Sequence, residues 1–197
     1  MEIIDFKSIL GTNEIKQFIK NVLVKNIHQY NSEIEIDFKM IKINQIIPFA
    51  HFAHTERMKI AKTNLSKLIA SNLTPYEIFA THENGIGRIV FPPIVEKIND
   101  DYYLIDGIHR LLIASEFGFD DVLCVAAKTH DNLPLPCTPN KWGNIEITDT
   151  DFPIGKNLLN INRQYFRRAT ECFNSQEFIF KSEKEFSNII NNYFINH

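Results

Sequence analysis

The sequence predicts an α+β fold with a helical addition at each end. Two patterns point to it. Apolar stripes recur at helical spacing in some segments, while others alternate apolar and polar residues as half-buried strands do. The two meet at Tyr102-Tyr103-Leu104-Ile105-Asp106-Gly107-Ile108-His109-Arg110-Leu111-Leu112-Ile113-Ala114, where a strand-like run reaches Asp-Gly and a helical pattern begins at once. A chain of 197 residues accommodates one domain of ordinary size plus an appendage. The expected division is an N-terminal helical segment over 1–32, a central domain over 33–130, and a loop with a helical extension over 131–197.

In chain order, Thr12 or Asn13 caps a first helix running to about Tyr30, with Ile15, Phe18, Ile19, Val22, Leu23 and Ile27 on one face. Ile34, Ile36, Phe38 and Met40 alternate with Glu35, Asp37 and Lys39, which predicts a strand. The following Ile41, Ile43, Ile46 and Ile47 lead to Pro48, where ordered pairing ends. Thr55 then starts a helix to Ser71 that buries Met58, Ala61, Leu65, Leu68 and Ile69, with Glu56 favouring its positive end. Residues 72–90 read as less regular: Pro75 opens a short helix through Phe79, and Asn84-Gly85-Ile86-Gly87 is a mobile turn. Its glycines lack the spacing and the lysine of a dinucleotide or Walker loop. Ile94 to Ile98, the turn signal Asn99-Asp100-Asp101 and the Tyr102 run form a hairpin that feeds the helix start near Ile108. Leu111, Leu112 and Ala114 bury that helix and Gly118 stops it. Val122 to Ala127 is nearly continuous in apolar character, the mark of a strand covered on both faces. Beyond it lie a proline-rich loop in which Trp142 packs as an anchor, a short edge strand at Ile145 and Ile147, and helices near Leu158–Phe173 and Ser182–Phe194.

Charge and cysteine usage narrow the function. A formal charge of −3 gives no global reason to expect nucleic-acid binding. Arg163, Arg167 and Arg168 form a local stripe that contacts a phosphate backbone or, more commonly for such stripes, is a solvated face; nucleic acid is not favoured as a partner. Three scattered cysteines (Cys124, Cys137, Cys172) without CxxC spacing fit a reducing compartment. Met1-Glu2-Ile3-Ile4-Asp5 is acidic and lacks the apolar core of a secretory signal, and no apolar run reaches transmembrane length. A cytoplasmic protein without a membrane partner is expected.

Chemistry concentrates in two stretches. At Asp106-Gly107-Ile108-His109-Arg110, glycine permits close backbone approach and a helix start presents unpaired N–H groups with a positive dipole end. An imidazole and a guanidinium there suit a phosphate. The plainer alternative is a turn in which Asp106 caps the helix and Arg110 faces solvent. The second stretch, Pro48 to Arg57, carries His51, His54 and Glu56. It is not HExxH and no third close ligand completes a zinc set, so no dedicated metal site is expected.

Lys42-Ile43 to Pro48, the helix near Leu65-Leu68-Ile69, Pro93-Ile94-Val95, Tyr103 to Arg110, Glu116-Phe117-Gly118 and the strand through Val125 together resemble the ParB/sulfiredoxin superfamily domain over residues 42–128. The resemblance implies a mixed sheet with helices and a turn that binds nucleotide phosphates through Gly107, His109 and Arg110. Sulfiredoxins carry a catalytic cysteine just before the His-Arg pair; here Ile108 stands there, and Cys124, in an apolar strand, is a poor substitute. ParB partition proteins add a helix-turn-helix reader that is not evident after residue 128. The pattern is similar to that of ParB-like free-serine kinases, whose Asp-Gly-His-His-Arg differs here at Ile108. The resemblance therefore implies binding of ATP or another nucleoside triphosphate with Mg²⁺, and phosphotransfer to a small hydroxyl-bearing acceptor or hydrolysis. Its catalytic candidates are Glu56, Asp106 and His109, with His51 or His54 as substitutes for Glu56 as base. A nucleotide-dependent DNA-associated adaptor or nuclease, and a non-catalytic interaction module, remain the alternatives.

Overall fold

The computed structural model of the protein describes residues 2–5, 12–70, 79–83, 86–129, 133–150, 161–167, 169, 172 and 179–195. The fold is α+β, built on a mixed five-stranded sheet in the order β2-β9-β7-β8-β3. These strands are β2 (Glu35–Lys42), β3 (Ile46–Pro48), β7 (Ile94–Ile98), β8 (Asp101–Asp106) and β9 (Asp121–Lys128). β2 runs antiparallel to β9 and β7 antiparallel to β8, whereas β7–β9 and β3–β8 are parallel.

Both faces of this sheet are covered, and β9 shows how. Its side chains alternate between two apolar clusters, Val122, Cys124 and Ala126 in one and Val125 and Ala127 in the other. That is why its sequence reads as a continuous apolar run. On one face lies helix α1 (Thr12–Asn26), whose Ile15, Phe18, Ile19, Val22 and Leu23 are buried. Each such side chain gains about 1.5–3 kcal/mol relative to exposure. On the other face lie α2 (Thr55–Ala70), burying Met58, Ala61, Leu65 and Leu68, and α3 (Ile108–Glu116), burying Leu111, Ile113 and Ala114. Ile69, expected inside, is 38% exposed; Leu112 is only partly buried. Met40 also departs from its expected inward position, being 58% exposed at edge strand β2, where Ile41 turns into the α2–α3 side instead.

Two smaller sheets complete the architecture. β1 (Glu2–Asp5), β5 (Phe79–Glu83) and β6 (Ile86–Val90) form an antiparallel sheet in the order β1-β5-β6. Residues 79–83 and 86–90 are thus a β-hairpin where the sequence read irregular structure, and its β5 strand is also paired with the distant β1. The expected helix start at Pro75, and Asn84-Gly85, lie outside the described residues. Gly87 is a docking point: its N–H donates to Phe180 O at 2.6 Å, and a side chain here would collide with the Phe180 ring. The third sheet pairs β4 (Phe52–His54) in parallel with β10 (Glu146–Thr148), the expected edge strand.

The C-terminal extension joins the α1 side. Ala169, Cys172, Phe180 and Phe186 enter the same cluster as Phe18, Leu23 and Val125. Helix α4 (Glu183–Ile195) matches the second expected tail helix; Ser182 Oγ accepts the Glu185 N–H at 3.2 Å. The first tail helix, expected near Leu158–Phe173, is corrected in part: Arg163–Tyr165 forms a 3₁₀ turn and Phe166 and Arg167 follow in irregular conformation, whereas Ala169 and Cys172 are helical and the rest beyond Asn162 lies outside the described residues.

Candidate functional site

The β7–β8 hairpin turns at Asn99, which adopts φ 55°, and delivers Asp106 opposite Ile94 beside a β-bulge at Ile94/Val95. Gly107 follows at φ 108° as the residue preceding α3, and its carbonyl accepts the Leu111 N–H at 3.0 Å. A Cβ at this position would sit 2.8 Å from Pro93 Cβ and 3.1 Å from Arg110 Nη2. Conformation and packing both demand glycine here, and the chain after it starts a helix whose first N–H groups have no intrahelical acceptor.

Asp106 and Arg110, four residues apart, face each other across this turn: Arg110 Nη2 donates to Asp106 Oδ2 at 2.9 Å, with both side chains about one-fifth exposed. Arg110 Nη1 also donates to Phe91 O. The guanidinium therefore braces the end of β8 against the Pro92-Pro93 approach to β7 and does not stand free in solvent.

His109 joins the two chemically dense stretches. Its Nε2 accepts the backbone N–H of His54 at 3.0 Å, so the neutral ring carries its proton on Nδ1. Burial lowers the His109 pKa to about 4, with the Arg57 charge acting in the same direction. The ring is neutral at pH 7 and brings no positive charge to a phosphate. Glu56, in the first turn of α2, is two-thirds exposed and pairs with Lys59 Nζ at 2.6 Å. His51 Nε2 shares a 3.3 Å hydrogen bond with Thr138 O.

Asp106, Gly107 and Ile108 line a cleft of about 120 Å³ with Phe49, Ala50, Leu104, Ile105, Pro136, Phe166 and Arg167; Glu56, His51 and His54 are not in its lining. The Phe49 ring stacks on Tyr103 with centroids 5.4 Å apart. Its backbone is fixed from the loop after β9. Cys137 Sγ donates to Phe49 O at 3.4 Å, Asn140 donates to Ala50 O and Pro48 O at 3.0 and 2.8 Å, and Trp142 Nε1 donates to Ile46 O at 2.8 Å. Trp142 is the anchor expected from sequence, and what it anchors is one wall of the cleft.

Arg167 corrects the reading of the arginine stripe. It is 4% exposed and ion-paired with Glu96, itself fully buried, at 3.0 Å; Arg168 lies outside the described residues. Arg167 Nε and the Tyr30 hydroxyl both donate to Glu96 Oε1, at 3.0 and 2.7 Å. Arg167 Nη1 donates to Pro134 O and Tyr165 O at 2.9 and 2.8 Å. Desolvation raises the Glu96 pKa while the Arg167 charge opposes the rise. The sequence signal for this cluster was a lone carboxylate, Glu96, inside the apolar β7. Elsewhere, burial pushes the Cys124 thiol up to about 12, which leaves no thiolate for nucleophilic chemistry. Among the described residues no three His, Cys, Asp or Glu side chains group as a metal cage, and no helix is long and apolar enough to cross a membrane.

No protein-family model matches the sequence, and no curated protein matches it. Solved structures of the ParB/sulfiredoxin-like kind are similar to parts of the chain. C-terminally truncated SbnI from Staphylococcus aureus is 18% identical, with a TM-score of 0.32 over 54% of this chain and 33% of that one. A free serine kinase in complex with AMP is 18% identical, with a TM-score of 0.31 over 47% and 31%. A pNOB8-like ParB N-domain is 19% identical, with a TM-score of 0.29 over 51% and 30%. The chain spans about a third of the length of these solved chains.

Proposed function

We propose that the turn between β8 and α3 binds the phosphates of a nucleoside triphosphate, and that the protein is a phosphotransferase acting on a small hydroxyl-bearing acceptor or a nucleotide hydrolase. One observation carries this reading: Asp106 and the glycine-headed start of α3 open onto a largely apolar cleft, and Arg110, outside that lining, is paired with Asp106 beside it. Bare backbone at Gly107 and the positive end of α3 suit phosphate oxygens. Arg110 supplies positive charge in a fork that a lysine does not reproduce. His109, being neutral, contributes hydrogen bonding and the fixed spacing of α3 from β4.

Asp106 is the carboxylate in the cleft lining, and Mg²⁺ characteristically binds one or two carboxylates together with substrate phosphates, so Asp106 fits such an ion. When bound, Mg²⁺ neutralises developing charge on the phosphates. Transfer requires the acceptor oxygen to bond to the terminal phosphorus as the bond to the bridging oxygen breaks, while the hydroxyl proton passes to a base. Glu56 is the proposed base, and Asp106 orients the acceptor or supports the ion. Asp106 lines the cleft; Glu56 acts only if its pairing with Lys59 yields.

Calorimetric titration with ATP and Mg²⁺ tests the reading. Arg110→Ala, folded by circular dichroism, is expected to bind at least about tenfold more weakly, in keeping with loss of a charge-assisted pair; Arg110→Lys restores little. Unchanged affinity in a folded Arg110→Ala protein overturns the proposal. Binding without turnover by the wild type, across small hydroxyl acceptors, leaves a nucleotide-binding module in place of an enzyme.

A further inference from the structure

Phe166 is a large apolar side chain left 38% exposed on the lip of the cleft. A single exposed phenylalanine is ordinary. This one is presented from an anchored point, because the next residue, Arg167, is buried and held by Glu96, Pro134 O and Tyr165 O. Facing the same space is Phe49, braced on Tyr103 and clamped through its carbonyl by Cys137. The lining thus joins the Asp106 carboxylate, the bare backbone of Gly107 and the buried Arg167 to the aromatic rings of Phe49 and Phe166.

We infer that Phe166 is a further binding residue that stacks on the base of the bound nucleotide, so that the C-terminal extension completes the site. The inference rests on the nucleotide reading above. With phosphate on the bare backbone of Gly107 and the start of α3, the aromatic part of the lining is left for a flat ring. Size agrees: about 120 Å³ is below the roughly 300–1,000 Å³ of pockets that enclose a drug-sized ligand, so part of a nucleotide lies inside and the remainder against the lip. An aromatic face there gives affinity without strict base choice, because every base has a π-face.

The test compares Mg²⁺-ATP with inorganic tripolyphosphate, which has the phosphates and no base, on wild type, Phe166→Ala and Phe166→Trp. Phe166→Ala is expected to weaken ATP about tenfold, the scale of one lost stacking contact, and to change tripolyphosphate less than about twofold. Phe166→Trp is expected to keep ATP affinity, and its added fluorescence, absent from a wild type whose one tryptophan is Trp142, to be quenched by ATP and not by tripolyphosphate. Equal effects of Phe166→Ala on both ligands, or none on either, overturn the inference while leaving phosphate binding at Gly107 standing. If the wild type binds neither ligand, the nucleotide reading fails and this inference fails with it.

Discussion

Gly107 is where one residue decides the geometry of the site. Its positive φ and its contact with Pro93 hold β8 and α3 in a fixed relation. Replacing it with alanine forces a side chain into a conformation that costs about 1–3 kcal/mol and into a gap only 2.8 Å from Pro93 Cβ. Gly107→Ala is therefore expected to lower unfolding stability by about 2–3 kcal/mol in urea titration. The strand–turn–helix setting of Asp106 to Arg110 was legible from sequence, but their ion pair was not, because Asp106 ends β8 and lies outside the helix that carries Arg110. The partner of His109 was not legible either: a backbone N–H at His54, 55 positions away, leaves no trace in local spacing.

Between elements, that same hydrogen bond ties the start of α3 to the end of β4, and it makes the tie sensitive to acid. The folded His109 pKa is about 4, against 6.5 for the free ring. Between these values the unfolded chain binds the proton and the folded chain does not, so the contribution is complete above about pH 6.5 and is lost as pH falls towards 4. The expected loss is about 1–2 kcal/mol once solvent screening of a partly exposed ring is allowed for. His109→Gln keeps an acceptor for His54 N–H without a titrating ring. Its stability should fall less than that of the wild type between pH 6.5 and 4.5, measured by thermal unfolding; parallel profiles would assign the acid sensitivity elsewhere. Helices α1 and α2, the β7–β8 hairpin and β9 were readable in sequence because each carries its own period. β1, β5 and β6 were not, because β1 pairs with β5 over a long range and Thr81, His82 and Glu83 break any apolar run in the β5–β6 hairpin.

At the scale of the whole molecule, Tyr30, Glu96 and Arg167 join the exit of α1, the central strand β7 and the C-terminal extension at one buried point. Spacing placed Arg167 on a surface stripe; only the fold reveals a carboxylate waiting inside. Arg167→Met strands Glu96 in the interior and is expected to cost about 3–5 kcal/mol in chemical denaturation, whereas the double change Glu96→Gln with Arg167→Met should cost less than the single one. A double change as costly as the sum of the singles would show the pair to be uncoupled. The two sides of the sheet also differ in when they can close. The cluster on the α2–α3 side draws its buried residues from Ile41 to Ala126, while the cluster on the α1 side needs Phe180 and Phe186. On a ribosome, one core is complete long before the other, and in the interval Ile94, Val125 and Ala127 face water beneath α1 alone. The nascent protein passes through a stage with one finished side and one adhesive side, the kind of surface that chaperones shield.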